Sequence, residues 1–173
     1  IVFPAAGFVE LAVQAADQAG FDRIAELLFE APLVIPEAGG CRIQVRVSGE
    51  ELTVHARTGP DGEWVRHVSG SLAHSEGSDL DDMARATLAP TGARPLEVGA
   101  LYAPDAEVLY GPAFQGVEQI WVHQEQVYGD VALPPGQNTA GFGIHPALLD
   151  AVLQTTLFTD PNRAAGAQLR SPS

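Results

Sequence analysis

The stretch CRIQVRV, residues 41–47, alternates without a fault: Cys41, Ile43, Val45 and Val47 share one face, and Arg42, Gln44 and Arg46 share the other. A period of two is the mark of a half-buried strand. ELTVHAR (51–57) alternates too, and only SGE separates the two runs, room enough for a hairpin turn. Two strands so joined must lie antiparallel. GPDG (59–62) signals another turn, and EWVRHVSGSLAH (63–74) supplies a longer strand with Gly70 as a bulge or a close backbone approach. Upstream, ELLFEAPLVIP (26–36) is largely apolar and stops at a proline. The first half is thereby committed to an antiparallel meander.

One helix precedes that meander. In AAGFVELAVQAADQA (5–19), Phe8, Leu11, Ala12, Ala15 and Ala19 fall on one stripe, with Glu10, Gln14 and Asp17 opposite. Pro4 stands at its mouth, where a missing N–H does no harm, and Gly20 closes it. Residues 75–95 change character, with Ser, Gly, Pro and acidic residues dominant, and read as a solvated linker. Its Asp79, Asp81 and Asp82 lack the glycine turn and distal Glu of a calcium loop. A loop-rich stretch, LYAPDAEVLYGPAFQG (101–116), leads into strand patterns VEQIWV (117–122) and QVYGDVAL (126–133), and a second apolar helix opens near Pro146.

The bulk numbers exclude several partners. The formal charge is -13, from 22 acidic against 9 basic side chains, so a phosphate backbone or an anionic membrane is a poor partner. Cys41 is the single cysteine, which rules out an internal disulfide and fits a reducing compartment. No window approaches the ~20 apolar residues of a membrane span. The start, IVFPAAGFVE, has neither an initiator Met nor the basic leader of a signal peptide, and reads as a cut within a longer polypeptide.

Within FGIHPALLDAVLQTT (142–156), Asp150 sits among Leu148, Leu149, Val152 and Leu153, with Gln154 one turn later on the same face. Gln154 can donate its amide N–H to the carboxyl. Burial would favour the neutral acid, and a neutral carboxyl in a cleft is a general acid. From periodicity alone, the more ordinary reading is an Asp/Gln stripe facing water. His145, before Pro146, could cap the helix or merely pack, and spacing favours the structural role. His55, His67, His74 and His123 have no ligand spacing, so no metal site is expected. YGPAFQG is a shaped turn, either a tight connection or a loop lining a pocket.

FPAAGFVELAVQAAD, YGPAFQG and HPALLDAVLQ together resemble the dehydratase domains of modular type I polyketide synthases, in order and spacing over nearly the whole chain. The resemblance implies an α+β double-hotdog fold, in which antiparallel sheets wrap central helices. Residues 1–74 would be most of the first hotdog, with its helix at 5–19; 75–95 the acidic linker; 96–140 the YGPAFQG loop and further strands; and 141–173 the second central helix (146–158) and an atypical tail. It implies elimination of water from a 3-hydroxyacyl thioester carried on the phosphopantetheine of an acyl carrier protein, with no cofactor of the domain's own. Asp150 matches the family's acid, and Gln154 the residue that orients it. Substrate contacts would fall at Pro4, Gly7, Tyr110, Gly111, Pro112, Phe114, His145 and Pro146. Neighbouring synthase domains would share the polypeptide, in the cytoplasm, with a homodimer as a further option.

Three departures qualify this. Pro4 matches the last letter of the family's base pattern H-x-x-x-G-x-x-x-x-P, which puts the His base nine positions earlier, before Ile1. Glu107-Val108 replaces the usual Gly-Tyr pair, and the tail NRAAGAQLRSPS lacks the later Leu-Pro-Phe-x-Trp motif. The second hotdog is therefore expected to be incomplete and the 173 residues inactive by themselves, with Leu149, Val152, Leu153 and Phe158 short of cover. Two alternatives stay open: a degenerate spacer or carrier-protein docking domain, and a double-bond isomerase or cyclase on the same scaffold.

Overall fold

The computed structural model describes residues 1–75, 89–106 and 108–159. Most of the acidic linker with its three aspartates, Glu107 and the tail from residue 160 lie outside the described residues. The described residues form two compact units, one of residues 1–75 with 141–146, the other of residues 89–106, 108–140 and 147–159.

In the first unit, helix α1 (Ala5–Ala19) packs on a four-stranded antiparallel sheet of β1 (Arg23–Phe29), β2 (Cys41–Ser48), β3 (Glu51–Thr58) and β4 (Val65–Ala73), in the order β1-β4-β3-β2. Local chemistry sets the helix limits. Pro4 holds the extended backbone of the N-cap, φ -69° and ψ 146°, and Gly20 ends the helix at φ 84° with its N–H on the Asp17 carbonyl. The β2–β3 hairpin turns through Gly49 and Glu50, and Gly49 takes φ 60°, a value that costs glycine nothing. Gly70 proves to be a close approach. It pairs with Leu27, and a Cβ there would strike the Glu26 carbonyl oxygen.

The core of this unit joins Phe8, Ala12 and Ala16 of α1 to Leu52, Val54 and Ala56 of β3 and to Val68 and Leu72 of β4. Each fully buried Leu or Val contributes roughly 1.5–3 kcal/mol. Two expectations need correcting. The run 26–36 is not one strand: β1 ends at Phe29, and the Leu33–Ile35 region pairs instead with the N-terminal segment, Phe3 N–H to Leu33 O at 2.8 Å and Ile35 N–H to Ile1 O at 2.8 Å. Glu10, placed on the solvent stripe of α1, is buried at 6% exposure, while Ala19, placed on the core stripe, is exposed at the helix end.

The second unit has a three-stranded antiparallel sheet, β5 (Arg94–Leu96), β6 (Val117–His123) and β7 (Gln126–Val131), in that order. Arg94 and Pro95, read as the end of the linker, are strand residues paired with Val122 and Trp121. Helix α2 (Pro146–Thr155) runs on as a 3-10 turn, Thr156–Thr159, in place of a continuous helix to residue 158. Leu96, Val117, Ile120, Ala151 and Phe158 form its core. Phe158 is thus covered, whereas Val152 and Leu153 stay 44% and 41% exposed. Each unit is an antiparallel sheet with an apolar helix, the hotdog arrangement expected.

Candidate active site

Gln154 is the most deeply buried polar residue of the second unit, 3% exposed, and every polar atom of its side chain has a partner. Its Nε2 donates to Asp150 Oδ2 at 2.8 Å and to the Phe114 carbonyl at 3.0 Å, while its Oε1 accepts the Tyr102 hydroxyl at 2.8 Å. The Tyr102 oxygen in turn accepts the Val117 backbone N–H at 2.9 Å. The water-facing stripe that periodicity favoured is therefore excluded for Gln154. Asp150 is half-buried, less enclosed than a carboxylate ringed by leucines would be.

Helix periodicity brings Asp150 to Gln154, and the rest is tertiary. The backbone at Phe114 and Val117 arrives from the end of YGPAFQG, where Pro112–Phe114 form a 3-10 turn closed by Phe114 N–H on the Gly111 carbonyl at 2.8 Å. Gly116 lets β6 start against the helix. A Cβ there would lie 2.6 Å from the Ala132 carbonyl and 3.1 Å from the Ala151 methyl group. Tyr110 stands edge-on to Tyr102, ring centroids 6.0 Å apart, and its carbonyl accepts Gln115 Nε2 at 2.9 Å. Gly111 and Pro112 are exposed, and Phe114 is half-buried. Burial pushes the Tyr102 phenol up from its ordinary value; the Val117 N–H works the other way, and the charges of Tyr110 and Asp150 add to the rise. Tyr102 therefore keeps its proton and its donor throughout the working range. No sequence signal singled Tyr102 out, because its partners lie far along the chain.

The remaining candidates belong to the first unit. Pro4 is the N-cap of α1, and Gly7 is buried beneath the Phe3 ring, where a Cβ would come within 2.7 Å of Phe3 Cζ. His145 sits edge-on to Phe142 at 4.7 Å, and its charge is felt by Glu10. Pro146 opens α2. The Glu10 carboxylate, absent from the sequence-level candidates, accepts Ile144 N–H at 2.7 Å, Gly143 N–H at 3.0 Å and Gln14 Nε2 at 2.8 Å. Burial alone would raise its pKa, but those three donors and His145 outweigh burial and hold it below the ordinary carboxyl value. No helix among the described residues is long and apolar enough to cross a membrane.

Comparison with known proteins identifies the family of the chain. The family model for the "Polyketide synthase dehydratase domain" matches residues 1–58, and that for the "Polyketide synthase dehydratase N-terminal domain" matches residues 80–170. The mycoketide-CoA synthase of Mycobacterium tuberculosis is 38% identical over 175 residues, covering 95% of this chain and 4% of the synthase. Among solved structures, a dehydratase studied for substrate selection in the borrelidin and fluvirucin polyketide synthases is 38% identical with a TM-score of 0.78, covering 92% of this chain and 60% of that one. The bifunctional dehydratase-cyclase domain of ambruticin biosynthesis is 34% identical with a TM-score of 0.76, covering 94% and 63%. The chain thus spans a few per cent of the multidomain synthase and under two thirds of the solved domains. Matched over residues 1–58 and 80–170 by two models of one family, the chain belongs to the polyketide synthase dehydratases.

Proposed function

We propose that Asp150 is the general acid in the elimination of water from a 3-hydroxyacyl thioester. Hydroxide is a poor leaving group, so the proton of Asp150 passes to the departing oxygen as the Cβ–O bond breaks. A base removes the α-proton, its electron pair becomes the Cα–Cβ double bond, and water leaves. Asp150 ends as a carboxylate and the base protonated, and solvent exchange restores both. The family pattern puts the His base nine positions before Pro4, so the proposal assigns that role to none of residues 1–173. The acyl chain would arrive on the phosphopantetheine arm of an acyl carrier protein, with other synthase domains alongside and no cofactor held by this domain. Pro4, Gly7, Tyr110, Gly111, Pro112, Phe114, His145 and Pro146 remain proposed substrate contacts.

The observation that carries the proposal is the carboxyl of Asp150 held by a fully committed, buried amide in a chain of the dehydratase family. The test is Asp150→Asn in the intact polypeptide, following enoyl thioester formation on the carrier protein. A loss of about 10²–10⁴-fold in kcat is expected for removal of a general acid. Activity within about threefold of wild type would remove Asp150 from the chemistry.

A further inference from the structure

We propose that Tyr102 is a positioning residue for Asp150: with the Phe114 carbonyl it locks the Gln154 amide in one orientation, and so selects which carboxyl oxygen carries the proton. The proposal rests on Asp150 being the acid.

The hydrogen-bond polarity follows from two backbone groups that have no choice. The Val117 N–H can only donate, so the Tyr102 oxygen accepts it, and the single phenolic proton is left for Gln154. The Gln154 atom facing Tyr102 must then be the oxygen. On the other side, the Phe114 carbonyl can only accept, so the Gln154 atom facing it must be the nitrogen. The amide is pinned from both sides by groups of opposite sense. Its second N–H is left pointing at Asp150 Oδ2. A carboxylic acid accepts hydrogen bonds through its carbonyl oxygen, so Oδ2 takes that role and the acidic proton resides on Oδ1. Without the Tyr102 hydroxyl, only Phe114 holds the amide, and rotation can present the Gln154 oxygen to Asp150 instead. The acid would then direct its proton at Gln154 rather than at substrate.

Tyr102→Phe, Gln154→Met and the double variant, made in the intact polypeptide beside Asp150→Asn, test this. If the two residues act as one device, each single variant and the double lower kcat by the same factor, about 10–100-fold, and leave KM within about twofold. A purely structural tyrosine would lower the melting temperature without that kcat-selective, non-additive pattern. The proposal is overturned if Tyr102→Phe keeps kcat within about twofold of wild type while Asp150→Asn is inactive, or if the losses multiply in the double variant. An active Asp150→Asn variant would sink the assignment of the acid, and this proposal with it. Gln154→Met preserves the Tyr102–Val117 bond and so remains informative if Tyr102→Phe does not fold. One measurement on the wild-type protein needs no variant at all. The Tyr102 hydroxyl proton should exchange slowly enough with water to be seen by NMR, and a proton in fast exchange would also overturn the proposal.

Discussion

Replacing Glu10 with glutamine keeps the size of the side chain and turns one of its two acceptor oxygens into an NH2 group. Oε1 accepts Gln14 Nε2 at 2.8 Å and Gly143 N–H at 3.0 Å, and Oε2 accepts Ile144 N–H at 2.7 Å. If the amide nitrogen takes the Oε2 position, it meets Ile144 donor to donor and the shortest bond is lost. If it takes the other position, two bonds go. At least one charge-assisted bond therefore disappears, worth roughly 1.5–3 kcal/mol. Gly143 and Ile144 are exposed, so water takes up a freed N–H, and the low end, about 1.5 kcal/mol, is expected. The dependence on pH separates this cause from any packing defect. Because the folded-state pKa of Glu10 lies below the ordinary value of 4.5, its contribution is complete above that value and fades as pH falls through the folded-state pKa. The stability gap between wild type and Glu10→Gln should therefore be present at neutral pH and close in acid. Urea unfolding as a function of pH measures the gap, and amide exchange at Gly143 and Ile144 reports the clamp itself. A gap that persists unchanged in acid, or wild-type exchange at Ile144 in the variant, would refute the reasoning.

Two packing predictions follow from the first unit. Gly70→Ala sets a methyl group against the Glu26 carbonyl and 2.7 Å from Leu27 Cδ2, so the β1–β4 pairing should loosen at a cost of about 1–3 kcal/mol, and an unchanged denaturation midpoint would count against the close approach. Leu52, fully buried between α1 and the sheet, should cost about 2–5 kcal/mol when cut to alanine, and a loss under about 1 kcal/mol would mean that the site collapses freely.

Local signals in the chain determined whatever depends on neighbours a few residues apart. Pro4 and Gly20 bound α1 at its observed limits, faultless alternation with Gly49 yields the β2–β3 hairpin, and the spacing of four residues brings Gln154 to Asp150. Those outcomes need only backbone sterics and helical or strand periodicity. Tertiary structure alone decided the rest. Glu10 looks solvent-facing from its stripe, yet its partners Gly143 and Ile144 lie more than 130 residues away and convert an exposed position into a buried anchor. Tyr102 meets Gln154 across 52 residues, and the segment 33–35 leaves β1 to pair with the N-terminal residues. Periodicity records which face of an element is apolar, but a buried polar group is stable only where distant donors and acceptors meet it, and that matching is written in the fold.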